Sequence, residues 1–257
     1  MLINAFPGGN VSNKRVELCR FTASGTFNPA DYPTADGLYD VYIVGGGGGA
    51  RGRRYNGGSW QSGDLSAGGG GGYAKLLKNV AVTSSVAVAI GAAGTRRTWN
   101  SNTSYQVWEG GSDGGNTSFG TFGTANGGKR ATDSGTGGDG GCGGAGFHSL
   151  IGGLNGNAGQ GETYWCGNDD TSNGVGGKGG GTSDYAPINP YDGLMYGIGG
   201  NSEARIYWMN NNKTSAGSSY MSTYINLPAL NDNPGRGGGA TADALPGICI
   251  VYGIPKY

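Results

Sequence analysis

His148 is the single histidine of the chain and sits in AGFHSL, between glycine stretches. A histidine base needs a positioned nucleophile, and no serine or cysteine nucleophile motif adjoins this one. Its place in a three-residue register (139, 142, 145, 148) makes it a surface or packing side chain. Cys19, Cys142, Cys166 and Cys249 lack CxxC spacing, which argues against a zinc site. They allow three disulfide pairings, and free buried thiols are the expectation. The G-x-G-x-x-G pattern recurs only because glycine is dense, and no Gly-Lys-Ser/Thr follows to build a phosphate loop. GGDGG has a fragment of a calcium-binding nonapeptide but not its repeat. Asp169–Asp170 and Asp184/Asp192 are carboxylate pairs of the kind that cleave glycosides, yet acidic residues in Gly/Asn-rich loops are ordinarily turn formers. The expectation is therefore a binding protein with no enzymatic activity, no cofactor and no metal site.

Recognition is the chemistry the remaining residues can do. All five tryptophans fall in segments between glycine runs, at 51–67, 96–112, 160–173, 182–198 and 201–234. The candidate ligand-binding set is Arg51, Arg53, Arg54, Tyr55 and Trp60 in the first segment, and Arg96, Arg97, Trp99, Tyr105 and Trp108 in the second. Tyr164 and Trp165 follow in the third, Tyr185 and Tyr191 in the fourth, and Tyr207, Trp208 and Tyr220 in the fifth. Large rings set among Ser, Asn, Thr and Asp have the composition of a binding surface. The arginine clusters with Trp60, Trp99 and Trp108 would suit anionic glycans, guanidinium for phosphate or carboxylate and indole faces for sugar rings. Two other readings stay open: rings that fold back to cap a thin core, and arginines that are solvated charge.

These residues need a scaffold, and the composition says which kind. Glycine supplies 59 of 257 residues, several times the usual ~7%. Seventeen basic residues balance seventeen acidic ones, which speaks against nucleic-acid binding and lacks the charge signature of disorder. No apolar run reaches the length of a membrane span. The opening MLINAFPGGNVSNKRVELCR has no basic region followed by an apolar stretch, so no secretory signal and no membrane insertion are expected. Strands are expected near 16–22, 39–44, 73–90 and 247–252, with 73–90 a hairpin about Thr83-Ser84-Ser85 and the two ends of the chain meeting in one sheet.

Between them, GGDGGCGGAG places Asp139, Cys142 and Ala145 at every third position, and Ile151, Leu154, Asn157 and Gln160 repeat the register. Period three is neither α nor β but matches the left-handed polyproline-II helix. Bare glycine edges let such helices approach and hydrogen-bond backbone to backbone. Collagen fails for want of proline and of an unbroken Gly-X-Y. A flexible linker predicts aromatic-poor surroundings. The expected fold is mainly β and irregular, essentially without α-helix. A small antiparallel β platform from the N- and C-terminal strands carries a layered bundle of polyglycine-II helices over 45–240, with long distal loops. Residues 21–257 form one glycine-rich domain and 1–20 a candidate attachment segment.

In order along the chain, FTASGTF, YDVYIVGGGGGA, GGGGGYAK, VAVAIGAAGT, GGNTSFG and LPGICIVYG resemble the glycine-rich domain of tailed-bacteriophage tail fibres, over Phe21 to Tyr252. The resemblance implies a polyglycine-II sandwich at the tip of a virion tail fibre, made in the host cytoplasm. Its distal loops would bind a bacterial surface receptor, glycan or protein. Other tail-fibre or baseplate proteins would be partners, and a homotrimer is among the assemblies it allows. The rivals are a structural cap or spacer of the fibre that touches no receptor, and an ice-binding bundle, which the bulky charged loops disfavour.

Overall fold

The computed structural model describes residues 14–51, 68–100, 107–132, 137–141, 163–164, 179–180, 188–199, 233–238 and 243–256. Among them there is no α-helix, and the strands are short and antiparallel. The expected platform is present. Val16–Phe21 (β1), Leu38–Val44 (β3), Ala74–Ala81 (β4) and Ile248–Gly253 (β12) form a sheet in the order β1-β12-β3-β4. Its first and last strands pair from Val16↔Gly253 to Phe21↔Cys249, so the two ends of the chain do meet.

The expected hairpin at 73–90 does not form. Val86–Ala89 (β5) instead joins Gly25–Phe27 (β2), Thr117–Phe119 (β8) and Gly123–Ala125 (β9) in a second sheet, ordered β2-β5-β8-β9. The alternation of Val82, Val86 and Val88 reflects burial on a shared core, not pairing with β4. Phe27, Val86, Val88 and Phe119 from this sheet pack against Tyr39, Val41, Ile43, Cys249 and Val251 from the first. Phe27 is the hub of that core, edge-on to Tyr39 (5.1 Å between ring centroids) and tilted against Phe119 (5.5 Å). Burial raises the Cys19 thiol to about 12 and pushes Cys249 up further. Both are free, as expected.

At one end of this sandwich the strands do not stop; they run on as extended glycine-rich segments. Residues 45–49 continue β3 and form the centre of a lattice. Gly46 and Gly49 donate their amides to the carbonyls of Gly115 (2.9 Å) and Ser112 (3.0 Å). Gly45 and Gly48 donate to Tyr73 and Gly70, and Gly47 to Leu245. The carbonyls point between these directions: Gly46 and Gly49 accept from Gly128 and Ala131, Gly47 from Gly94 and Gly48 from Gly238. Donors separated by three residues thus reach the same neighbour, the signature of a three-residue turn.

The six neighbours also bond to one another and close a ring. Gly114 bonds to Gly128, Gly70 to Lys129, Gly69 to Gly238, Leu245 to Arg236, Gly247 to Gly91 and Gly115 to Ala92. The central segment sits in a hexagon, giving and receiving hydrogen bonds alternately around it. This is a polyglycine-II bundle, and it recruits segments with few glycines, such as 91–95 and 126–131; the decorated period-three stretch from Cys142 to Gln160 lies outside the described residues. An outer segment needs glycine only where it abuts another segment, as Gly127 does against Gly114 and Gly128 against Gly70.

The reason for glycine at the centre is approach. A Cβ on Gly47 would lie 1.9 Å from the Arg236 carbonyl oxygen, and one on Gly49 1.7 Å from that of Thr95. The obstructing atoms are backbone and cannot swing aside. Gly25 is a contrast, where a Cβ would meet only the Phe21 ring at 3.6 Å. Gly47→Ala should therefore lower stability by at least about 3 kcal/mol, while Gly25→Ala shifts it by less than about 1 kcal/mol. Urea denaturation of the two variants measures both, and equal effects would mean that the lattice yields.

Candidate functional site

The strand ends fix a polarity. The lattice segments leave the sandwich at Val44, Ala89 and Ala125 and return to it at Ala74, Thr117 and Ile248. At the other end of the sandwich lie residue 16 of β1 and residue 253 of β12, paired with each other. The chain is thus held near both its ends on one side. On the far side of the lattice lie Arg51, Gly68, Arg96, Gly111, Thr132, Gly137, Gly238 and Asp243.

A ribbon begins beyond Arg96. Arg97–Asn100 (β6) and Val107–Gly110 (β7) pair only with each other, in the register Arg97↔Gly110, Thr98↔Glu109, Trp99↔Trp108 and Asn100↔Val107. Its root is fastened to the lattice. The Ser112 amide donates to the Thr95 carbonyl (3.2 Å), and the Thr95 amide to the Ser112 hydroxyl (2.9 Å). Gly110 and Gly111 carry the strand out of the ribbon at φ of 67° and 81°, a left-handed corner that would cost other residues roughly 1–2 kcal/mol each.

Beside this root, charged groups gather on adjoining segments. Arg96 Nε lies 3.7 Å from Asp243 Oδ1, and Arg236 donates to the Asp243 carbonyl at 3.0 Å. Asp243 is 88% exposed, so the ion pair adds little stability. Arg51 ends the central segment with its side chain buried, at 3% exposure.

A second polar cluster lies on the outer face of the first sheet. Residues 188–199 form a strap across it, burying Tyr196 and flanking Leu194 against Tyr42, Val44, Ile248 and Ile250. Tyr191 stacks on Tyr252 with 4.1 Å between ring centroids and donates a short hydrogen bond to Asp40. Asp40 also accepts from the Asn79 amide (2.6 Å) and pairs with Arg15 Nε (3.4 Å). Asn79 reaches that carboxylate at φ 54°, where the β3–β4 register slips. Asp192 gathers the Asn189 amide group (3.0 Å), the Tyr196 hydroxyl (2.9 Å) and the Leu194 amide (2.8 Å). Asn189 then donates to the Tyr252 hydroxyl (2.7 Å). These groups buckle the strap to the sheet.

A family of glycine-rich domains matches residues 22–248, which takes in the second sheet, the lattice and β3 and β4 of the first sheet. The chain belongs to the glycine-rich domain family. No curated protein matches it. In this glycine-rich domain the candidate residues fall into four groups. Trp99, Trp108, Arg97 and Arg96 come together on the ribbon and its root, with Arg51 ending the adjacent central segment. Tyr191 stacks on Tyr252, and Arg51 is buried. Tyr164 occupies a two-residue ladder, Thr163–Tyr164 (β10) against Gly179–Gly180 (β11). Arg53, Arg54, Tyr55, Trp60, Tyr105, Trp165, Tyr185, Tyr207, Trp208 and Tyr220 lie outside the described residues.

Arg15, Asp40, Asn189 and Asp192 were missed as structural polar groups. The signal for Asp40 was its position inside YDVYIV, where an acid interrupts a strand that is otherwise apolar or aromatic.

The strap also sets a pH dependence. Burial raises the phenols of Tyr191 and Tyr196, with Asp40 and Asp192 adding to the shift, and it raises Tyr252 from 10.0 to about 12. An acid whose folded pKa is raised stabilises the fold fully below its unfolded pKa and loses that contribution as pH climbs through the folded one. The urea midpoint should be flat up to about pH 9 and fall between about pH 10 and 12. Tyr252→Phe should shrink the fall, and an unchanged slope would exclude this tyrosine as a source.

Proposed function

We propose that this glycine-rich domain is a receptor-binding adhesin at the tip of a tailed-phage tail fibre. What supports the reading is the opposition of its two ends. The β sandwich holds β1 and β12 on one side, and Arg51 and the root of the β6–β7 ribbon lie on the opposite side. The motif order from Phe21 to Tyr252 resembles tail-fibre domains and agrees with that arrangement. A rigid backbone lattice between the two ends suits display, because preorganised loops lose less entropy on binding. No catalytic role enters the proposal, and the partners are a bacterial surface receptor and the remainder of the fibre.

The test is adsorption of the labelled, folded protein to a panel of bacterial strains, with periodate or protease treatment of the cells in parallel. Saturable binding to a narrow set of strains is expected. Replacing 52–67 by a short Gly-Ser turn should weaken it without lowering the melting temperature. A folded protein that adsorbs to no strain would instead be a structural cap of the fibre.

A further inference from the structure

Each sheet of the sandwich ends in two strands whose outer edge meets no further strand among the described residues: β1 and β4 in the first, β2 and β9 in the second. A bare edge invites pairing with another chain, and proteins blunt it with short strands, lysines or a distorted backbone. β2 and β9 are three residues long. β4 carries Lys75 and Lys78 and turns left-handed at Asn79, with φ 54°. β1 has neither lysine nor proline in its six residues, VELCRF, and its Val16 is 43% exposed.

The one irregularity of β1 arranges its charges. A bulge between Glu17 and Cys19 shifts the register. Residues three apart, which a regular strand sends to opposite faces, therefore stand together. Glu17 accepts from Arg20 Nε (3.0 Å) and Nη2 (2.8 Å). The pair lies on the strap side of the sheet, near Tyr196 and Tyr252, and both side chains are exposed. An antiparallel match of β1 with itself sets Val16 against Phe21 and Glu17 against Arg20, so each acid meets the base of the other copy.

We propose that β1 is an interface between two copies of this chain, joined edge to edge about a twofold axis that passes between Leu18 and Cys19. The same patch serves on both sides, and two four-stranded sheets become one continuous sheet. Self-complementary charge selects a second copy over a strand of another protein. Each Glu17 and Arg20 exchanges its partner for the same group on the other copy, and no charge is left unmatched. Opposite charges directly across two strands stabilise their pairing, and like charges oppose it. Six residues a side make a small interface, so the dimer is weak, with a dissociation constant on the order of 10–100 µM. Antiparallel strands point the two lattices in opposite directions. The inference is independent of the adhesin reading.

Sedimentation equilibrium at protein concentrations spanning that constant is the test, and the wild type is expected to pass from monomer to dimer. Glu17→Arg and Arg20→Glu each set like charges across the interface twice and should weaken dimerisation at least about tenfold. Mixed in equal amounts, the two variants restore every opposite pair and should form a heterodimer at least as tight as the wild type. The double exchange, Glu17→Arg with Arg20→Glu, should restore the homodimer. It also keeps the pair within each copy, so it carries the test if a single variant fails the melting control. A wild type that sediments as a monomer throughout overturns the proposal and leaves the edge to another protein or to solvent. Variants that dimerise as the wild type does overturn it too, since the contact then lies elsewhere.

Discussion

The amide–carbonyl hydrogen bonds around Gly45 to Gly49 are the constraint on which the rest of the fold depends. Five peptide groups with no side chains organise six neighbouring segments, and those segments set where every turn of the lattice leaves. Ordering glycine costs about 0.5–1 kcal/mol more per residue than ordering alanine, so the lattice must return that cost through contacts. It does so by saturation. Around the centre, donors and acceptors alternate, leaving few buried peptide groups unpaired. The arrangement tolerates no Cβ at its axis, as the 1.7–2.1 Å approaches at Gly45 to Gly49 show.

The sandwich and the lattice solve different problems with one chain. In the sandwich, Phe27, Tyr39, Val41 and Phe119 bury rings and branched side chains in the ordinary way. The strands then pass into segments where backbone packs on backbone. The first sheet is covered on both faces, by the second sheet and by the strap, which explains why all of β12 is buried. Asp40 makes this economical. Its carboxylate meets Arg15 from the N-terminal side and Tyr191 from the strap, so one buried acid fastens two segments that are far apart in sequence.

Much of this was legible in the residues. Apolar runs at VELCRF, LYDVYIV and ICIVYG marked three strands of the first sheet, and their places at the two ends of the chain foretold the pairing of β1 with β12. The undecorated glycine runs at 45–49 and 68–72 are the ones that build the three-residue turn. The crossing of β4 and β5 into different sheets was not legible, because alternation in Val80/Val82 and Val86/Val88 reports which face is buried and says nothing about which strand lies alongside. Segments such as GAAGT and NGGKRA carry too few glycines to announce themselves, since only the positions that abut another segment are constrained. At the candidate site, tryptophan in polar loops was visible, but the opposition of Trp99 to Trp108 depends on a hairpin register that the intervening residues did not encode by a recognisable turn. The stacking of Tyr191 on Tyr252 was not legible for a related reason: a tyrosine among Pro, Asn, Asp and Gly has the same composition whether it faces solvent or a ring.

The chemistry of what the lattice buries has a consequence for temperature. Unfolding an oily core raises heat capacity, whereas exposing peptide groups lowers it. A domain that hides a large share of backbone behind few apolar side chains should therefore have a smaller heat-capacity increment than the ~12–15 cal/mol/K per residue of ordinary proteins. Its stability curve is correspondingly shallow, losing little on cooling and declining gently on warming. The glycine hexagon gives the molecule a breadth of working temperature that a hydrophobic core of the same size would not.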